Sequence, residues 1–178
     1  TLLADDLPAR LAINIGASEF TEDLPQRIGK ILDAAGADPR LIEIEITETS
    51  LMNDPDGANA IIKALHDTGM KVALDDFGTG FSTLSFLRSC AVDAIKIDRS
   101  FVERVSDKDS DQKIVQGIVK LAQLLGLDTI AEGVETDRQR EWLASNGCDL
   151  IQGFLISRPL RLDAYLALLR AHGSTAKY

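Results

Sequence analysis

The 178-residue chain predicts an α/β fold of the TIM-type (β/α) barrel class, with six of the eight strands present. Three observations point there. Six short apolar runs recur along the chain, each followed by a stretch of helical periodicity. Strand-then-helix repetition builds a parallel sheet with right-handed crossovers. Nearly every run also ends in one polar residue, giving Asn14, Glu45, Asp75, Lys96, Glu132 and Gln152. In a barrel the carboxyl ends of all strands converge on one mouth, whereas an open doubly wound sheet would spread six such groups along a wide edge. Finally, 45% hydrophobic residues and a mean hydropathy of +0.01 describe a globular chain, not a disordered one.

The strands are expected at 10–15 (RLAINI), 41–47 (LIEIEIT), 71–75 (KVALD), 94–97 (AIKI), 128–132 (DTIAE) and 150–156 (LIQGFLI), all rich in Ile, Val and Leu. Between them the helix ends are readable. Thr21 is expected to cap a helix running to Ala35, with Gly36 as its stop. Asp54 and Pro55 supply a cap and a first-turn proline for a helix ending at Gly69. A third helix spans 111–125, with apolar residues at Ile114, Val115, Ile118, Val119, Leu121 and Leu125, and closes on Gly126. Helices over 136–145 and 161–171 complete the set.

A whole barrel has eight strands in about 250 residues, so the remaining strands are expected to precede Thr1. A six-stranded remnant would leave open sheet edges. The barrel domain is taken as 1–172, with 173–178 as a flexible tail. No apolar stretch reaches the roughly 20 residues that span a bilayer, and no signal peptide opens the chain. The net charge of −9 excludes a general surface for polymeric nucleic acid, which would be basic. A small phosphorylated ligand remains compatible, because bound divalent cations reverse the sign of a local site. Cys90 and Cys148 lie far apart with no metal-binding spacing, as reduced thiols of a cytoplasmic protein would.

Each polar strand end, taken alone, is more often a satisfied cap than a functional group. Paired aspartates such as Asp75 and Asp76 are commonly a turn device, and Lys96 has an acid, Asp98, close by. The Asp-Phe-Gly triplet lacks the glycine-rich loop and the catalytic-loop motif of a kinase. Taken together, Asn14, Glu45, Asp75, Asp76 and Glu132 form an all-oxygen donor set suited to Mg²⁺ or Mn²⁺ and unsuited to zinc. The two histidines, His66 and His172, fall in helical stretches and read as surface or packing residues. One aspartate bridging beside another can hold two cations about 4 Å apart for phosphoryl transfer. Lys96, at the same mouth, is placed to orient or deprotonate the attacking water.

The stretches NIGASEF, IEIEITETSLM, LDDFGTGFSTLSFL, AIKIDRSFV, IAEGVET and IQGFLISRPL, in this order and spacing, resemble the EAL domains, bacterial cyclic di-GMP phosphodiesterases. The resemblance implies a (β/α)₈-like barrel with an antiparallel first strand. It also implies Mg²⁺- or Mn²⁺-dependent hydrolysis of cyclic di-GMP to linear pGpG, with Ca²⁺ inhibitory. By resemblance, Asn14, Glu45 and Asp75 bind one cation; Asp75 bridges to a second, held with Asp76 and Glu132. Lys96 positions the nucleophilic water and Gln152 supports the same site. Glu48 anchors the DFGTGFS loop, and Glu135 braces the AEGVE strand end. Gly78 and Gly80 let that loop turn beside the ligand. The aspartates are expected to divide their roles through strand alternation plus the loop turn.

The helix from about Ser82 resembles the family's dimer surface, implying a homodimer. Fusion to sensory or GGDEF domains is expected, in a cytoplasmic domain compatible with a membrane-anchored parent protein. Two departures stand out. The Glu-Ala-Leu motif itself, whose glutamate is a cation ligand, is absent from the chain, and Gly16 stands where serine is usual. The isolated fragment is therefore expected to turn over weakly or not at all. The alternative is a non-hydrolysing cyclic di-GMP receptor or interaction module. Such receptors usually lose acids that this chain keeps.

Overall fold

A computed structural model describes residues 10–52, 54–78, 87 and 89–172. Six parallel strands form one sheet: β1 (Leu11–Ile15), β2 (Ile42–Thr47), β3 (Lys71–Phe77), β4 (Ala94–Ile97), β5 (Asp128–Ala131) and β6 (Leu150–Ile151). Their spatial order is their chain order. A doubly wound sheet reverses direction at a switch point; this one never does, and its singly wound order is that of a barrel wall.

The helices are α1 (Leu24–Ala35), α2 (Glu48–Met52), α3 (Pro55–Asp67), α4 (Arg99–Val102), α5 (Asp109–Leu125), α6 (Asp137–Ser145) and α7 (Leu162–His172), with a 3₁₀ turn at Pro39–Leu41. Side chains alternate across each strand. Ile44, Ile46, Val72, Leu74, Ile95 and Ile97 are fully buried in the main core, together with the apolar stripes of α1, α3 and α5. The other strand face carries a small cluster of Ala73, Ala94 and Ile130 with Leu150 beside it. Glu45 and Lys96 are also buried, one on each of β2 and β4.

Several boundaries differ from the sequence reading. α1 starts at Leu24 with Asp23 at the cap position; Thr21 instead donates its hydroxyl to the Asp23 carboxylate at 2.6 Å. Pro25, in the first turn, suits that later start because it needs no amide partner there. α5 begins two residues before Asp111, which is buried in its first turn against Arg104 (3.2 Å) and Lys108 (3.4 Å). The run 150–156 yields only a two-residue strand. The Gln152 amide still donates to Ala131, but the chain then turns, with Ile156 N–H donating to the Gly153 carbonyl at 3.0 Å. An unbroken apolar run cannot report a turn that leaves its own Phe154 and Ile156 exposed. The short α2 and α4 and the 3₁₀ turn had no periodic signal to announce them.

Other expectations match the structure. Gly36 and Gly126 follow α1 and α5 in left-handed conformation, and Asp54 caps α3 by accepting from Gly57 N–H. Thr136 and Gln139 form a reciprocal capping box on α6. His66 packs at the lower end of the sheet, 2.9 Å from Asp93, whose carboxylate also accepts the Val72 amide. Both cysteines are free thiols. Burial pushes the Cys90 thiol up to about 11.

Candidate active site

Lys96 stands at the centre of the site, and its side chain is 3% exposed. Its ammonium lies 2.8 Å from Glu45, 3.0 Å from Asp75 and 2.7 Å from Glu132. Three strand ends, β2, β3 and the residue after β5, therefore meet on one cation from β4. Burial disfavours the charge, but hydrogen bonds to Glu132 and Glu45 outweigh it and raise the Lys96 pKa above its ordinary value. Lys96 therefore carries its positive charge at neutral pH in this arrangement.

Asp75, Asp76 and Glu132 offer carboxylate oxygens that all lie within 4.8 Å of one another. Regular alternation would send adjacent aspartates to opposite faces of the sheet. The pairing of β3 with β4 shifts register between Leu74 and Phe77. Asp76 has φ +54°, the single non-glycine positive φ among the described residues. This irregularity, not alternation, brings both acids to one side, which corrects the sequence reading. A left-handed aspartate is tolerated but costly, and such outliers gather at functional sites. Burial first, then the charges of Asp75 and Asp98, raise the Asp76 pKa. Burial likewise raises Glu132, against the pull of Lys96. Among the described residues a single ammonium bridges these carboxylates, which leaves the cluster short of positive charge. Its oxygen-only donors fit hard divalent cations.

The supporting residues fall into place around it. Glu48, 5% exposed at the start of α2, accepts the Gly78 amide on one oxygen at 3.1 Å, and its other oxygen has no hydrogen bond among the described residues. Gly78 has φ +97°, and an added Cβ would press to 3.0 Å from the Phe101 ring. Gly80 and the helix expected from about Ser82 lie outside the described residues. Asn14 pairs in register with Glu45 on the outermost described strand and is exposed. Glu132, Gln152, Glu135, Arg99, Gly133 and Phe154 line a cavity of about 230 Å³ at the mouth. Glu135 pairs with Arg99 at 2.8 Å.

Glu43 was not picked out by the sequence reading. It lies two residues before Glu45 on the same face of β2, 7% exposed and 3.5 Å from Arg10. Burial raises its pKa. The alternation in IEIEI carried the signal, since residues two apart on a strand share a face. Arg99 and Gln139 also escaped notice, because neither type nor spacing marks them.

The EAL domain model matches residues 2–159. The chain belongs to the EAL domain family. This EAL domain is 40% identical over 164 residues to the cyclic di-GMP phosphodiesterase NbdA of Pseudomonas aeruginosa, covering 92% of the chain and 21% of NbdA. It is 36% identical over 158 residues to the bifunctional diguanylate cyclase/cyclic di-GMP phosphodiesterase MucR of the same organism, covering 88% of the chain and 23% of MucR. The solved structure of the MucR phosphodiesterase in complex with c-di-GMP superposes with a TM-score of 0.86 at 34% identity, over 92% of this chain and 67% of that one. Klebsiella pneumoniae BlrP1, in a manganese/cyclic di-GMP complex, gives a TM-score of 0.78 at 40% identity, over 88% of this chain and 41% of that one. The EAL domain thus spans about a fifth of the length of these two curated relatives. Among the described residues, no helix is long and apolar enough to cross a membrane.

Proposed function

We propose that this EAL domain, within its intact protein, hydrolyses one phosphodiester bond of cyclic di-GMP to give linear pGpG. The observation that carries the reading is the convergence of Asp75, Asp76 and Glu132 around the buried Lys96. Asn14, Glu45 and Asp75 would hold one divalent cation, and Asp75, Asp76 and Glu132 a second. Mg²⁺ or Mn²⁺ bound there would activate water and offset charge on the phosphoryl oxygens. Lys96, 2.7–3.0 Å from Glu45, Asp75 and Glu132, is placed to orient the attacking water and the phosphate. Glu48 ties α2 to Gly78 at the start of the loop, and Gln152 lines the mouth beside Glu132. The same reading carries a homodimer and fusion to sensory or GGDEF domains.

The test follows pGpG production by the intact protein with Mg²⁺, Mn²⁺ or Ca²⁺. Turnover is expected with the first two. Ca²⁺, which prefers more ligands and looser geometry, is expected to support binding without turnover. Asp76→Asn should lower kcat by at least about 100-fold, as losing a cation ligand outweighs the loss of a supporting group. Binding of cyclic di-GMP with no turnover under any cation would make the protein a receptor instead.

A further inference from the structure

We propose that Arg99 is a positioning residue for the Glu132 carboxylate, acting as an outer clamp on the turn that carries it. The inference rests on the phosphodiesterase reading for its chemistry but on geometry for its content. Glu132 is the first residue after β5, and beyond it the backbone is tied on the β6 side only at Val134, whose amide donates to the Gln152 carbonyl at 3.0 Å and whose carbonyl accepts from the Leu155 amide at 2.9 Å. Three contacts from β4 and its continuation hold the other side. The Glu132 amide donates to the Ile97 carbonyl at 3.1 Å. Lys96 grips its side chain from within the site at 2.7 Å. Arg99 then crosses the following turn.

That crossing is close. Gly133 has φ +67°, and a Cβ added there would overlap the Cγ of Arg99, so the arginine stem lies directly on the bare glycine Cα. Beyond it, the guanidinium reaches Glu135 at 2.8 Å. The far side of the turn is tied down too, because the Glu135 and Thr136 amides both donate to the Gln139 side chain. Arg99 is itself fixed at the first position of α4, where Asp98 caps the helix by accepting from the Ser100 amide.

The two grips on Glu132 differ in how they respond to cations. Lys96 holds Glu132 through a carboxylate oxygen, so a divalent cation drawing on the same carboxylate would compete with the ammonium. Arg99 holds the backbone and Glu135, and does not touch that carboxylate. It therefore keeps the turn in place when the inner grip loosens. An ordinary exposed ion pair would be worth little, and both partners here are about half exposed. The packing of the stem on Gly133 is what gives the pair a positional effect.

The experiment titrates Mn²⁺ into the intact protein by electron paramagnetic resonance, and measures Tm under chelator. It compares wild type, Arg99→Ala, Arg99→Lys, Glu135→Gln and the double variant Arg99→Ala/Glu135→Gln. Arg99→Ala should weaken Mn²⁺ binding by about 10-fold, the scale of a lost outer support, while Tm under chelator stays near wild type. Arg99→Lys keeps the stem and charge but not the planar fork, so it should recover part of the loss. The double variant should be no weaker than Arg99→Ala, because both changes break one contact. Equal Mn²⁺ affinity in wild type and Arg99→Ala overturns the proposal, as does simple additivity. A parallel loss of Tm and affinity in Arg99→Ala and Glu135→Gln also overturns it, since the role would then be structural. Wild type that binds Mn²⁺ but leaves cyclic di-GMP intact defeats the phosphodiesterase reading alone. Wild type that binds no Mn²⁺ defeats both.

Discussion

The charge balance of the site turns on Lys96. In the arrangement described, its ammonium is the positive charge shared by Glu45, Asp75 and Glu132. Removing one member of a buried charge network leaves the rest uncompensated, which typically costs about 3–5 kcal/mol. Lys96→Met keeps the stem length and removes the charge. Under chelator it should therefore unfold at a clearly lower denaturant concentration. Mn²⁺ should restore more stability to the variant than it adds to wild type, because no ammonium competes for the carboxylates. A chemical denaturation series with and without Mn²⁺ checks this; equal Mn²⁺ increments in the two proteins would count against it. Asp76 shows why residue type alone was an incomplete guide. Its left-handed backbone reverses the side that alternation assigns, and nothing in the letters of KVALDDFG requires that.

At the scale of elements, the informative link runs between α4 and α6. Gln139, 5% exposed, accepts from the Glu135 and Thr136 amides. Its amide group donates to the Val102 and Glu103 carbonyls at 3.3 and 3.1 Å. One side chain thus caps α6, satisfies the end of α4 and holds the turn after Glu132. Gln139→Ala would leave four backbone groups without these partners. A loss of about 3 kcal/mol is expected, given roughly 1–3 kcal/mol for each group left unsatisfied and partial rescue by water. Thr136→Ala, which removes only half of the capping box, should cost about 1 kcal/mol. Thermal unfolding of both variants distinguishes them, and equal losses would mean that the link to α4 contributes nothing.

Across the whole molecule, acids of opposite behaviour occupy different places. Asp76, Glu43 and Glu132 are the raised ones, from ordinary values of 3.8 for the first and 4.5 for the two glutamates. Burial is the leading cause in each. A carboxyl whose folded pKa is raised stabilises the fold fully below its unfolded value, and that contribution is lost as pH rises through the folded value. Asp111 is the reverse: burial opposes its charge, but Ser110, Lys108 and Arg104 together lower its pKa. Its contribution is present above 3.8 and lost as pH falls through the folded value. The two windows barely overlap. Under chelator, Tm should decline as pH climbs from 4.5 toward neutrality. Saturating Mn²⁺ should abolish that decline, since cations favour the ionised carboxylates. A chelator profile that is flat or rising over this interval would show that the inner-face acids carry no such penalty.

The sequence by itself determined the class of fold and most of the site's membership. Strand-length apolar runs, each ending in one polar group, encode both the repeating unit and the end of it that functions, because alternation and burial act locally. That made Glu45, Asp75, Lys96 and Glu132 legible before any coordinates. Helix stops such as Gly36 were legible for the same reason, since one residue's backbone preference decides them. Tertiary structure alone decided where Asp76 points, because a register shift depends on the neighbouring strand. It alone ended β6 after Ile151, where a turn contradicts an apolar run. It also decided that Arg99 and Gln139 matter, since each acts across elements some 30 residues apart or more, a distance that no local pattern spans.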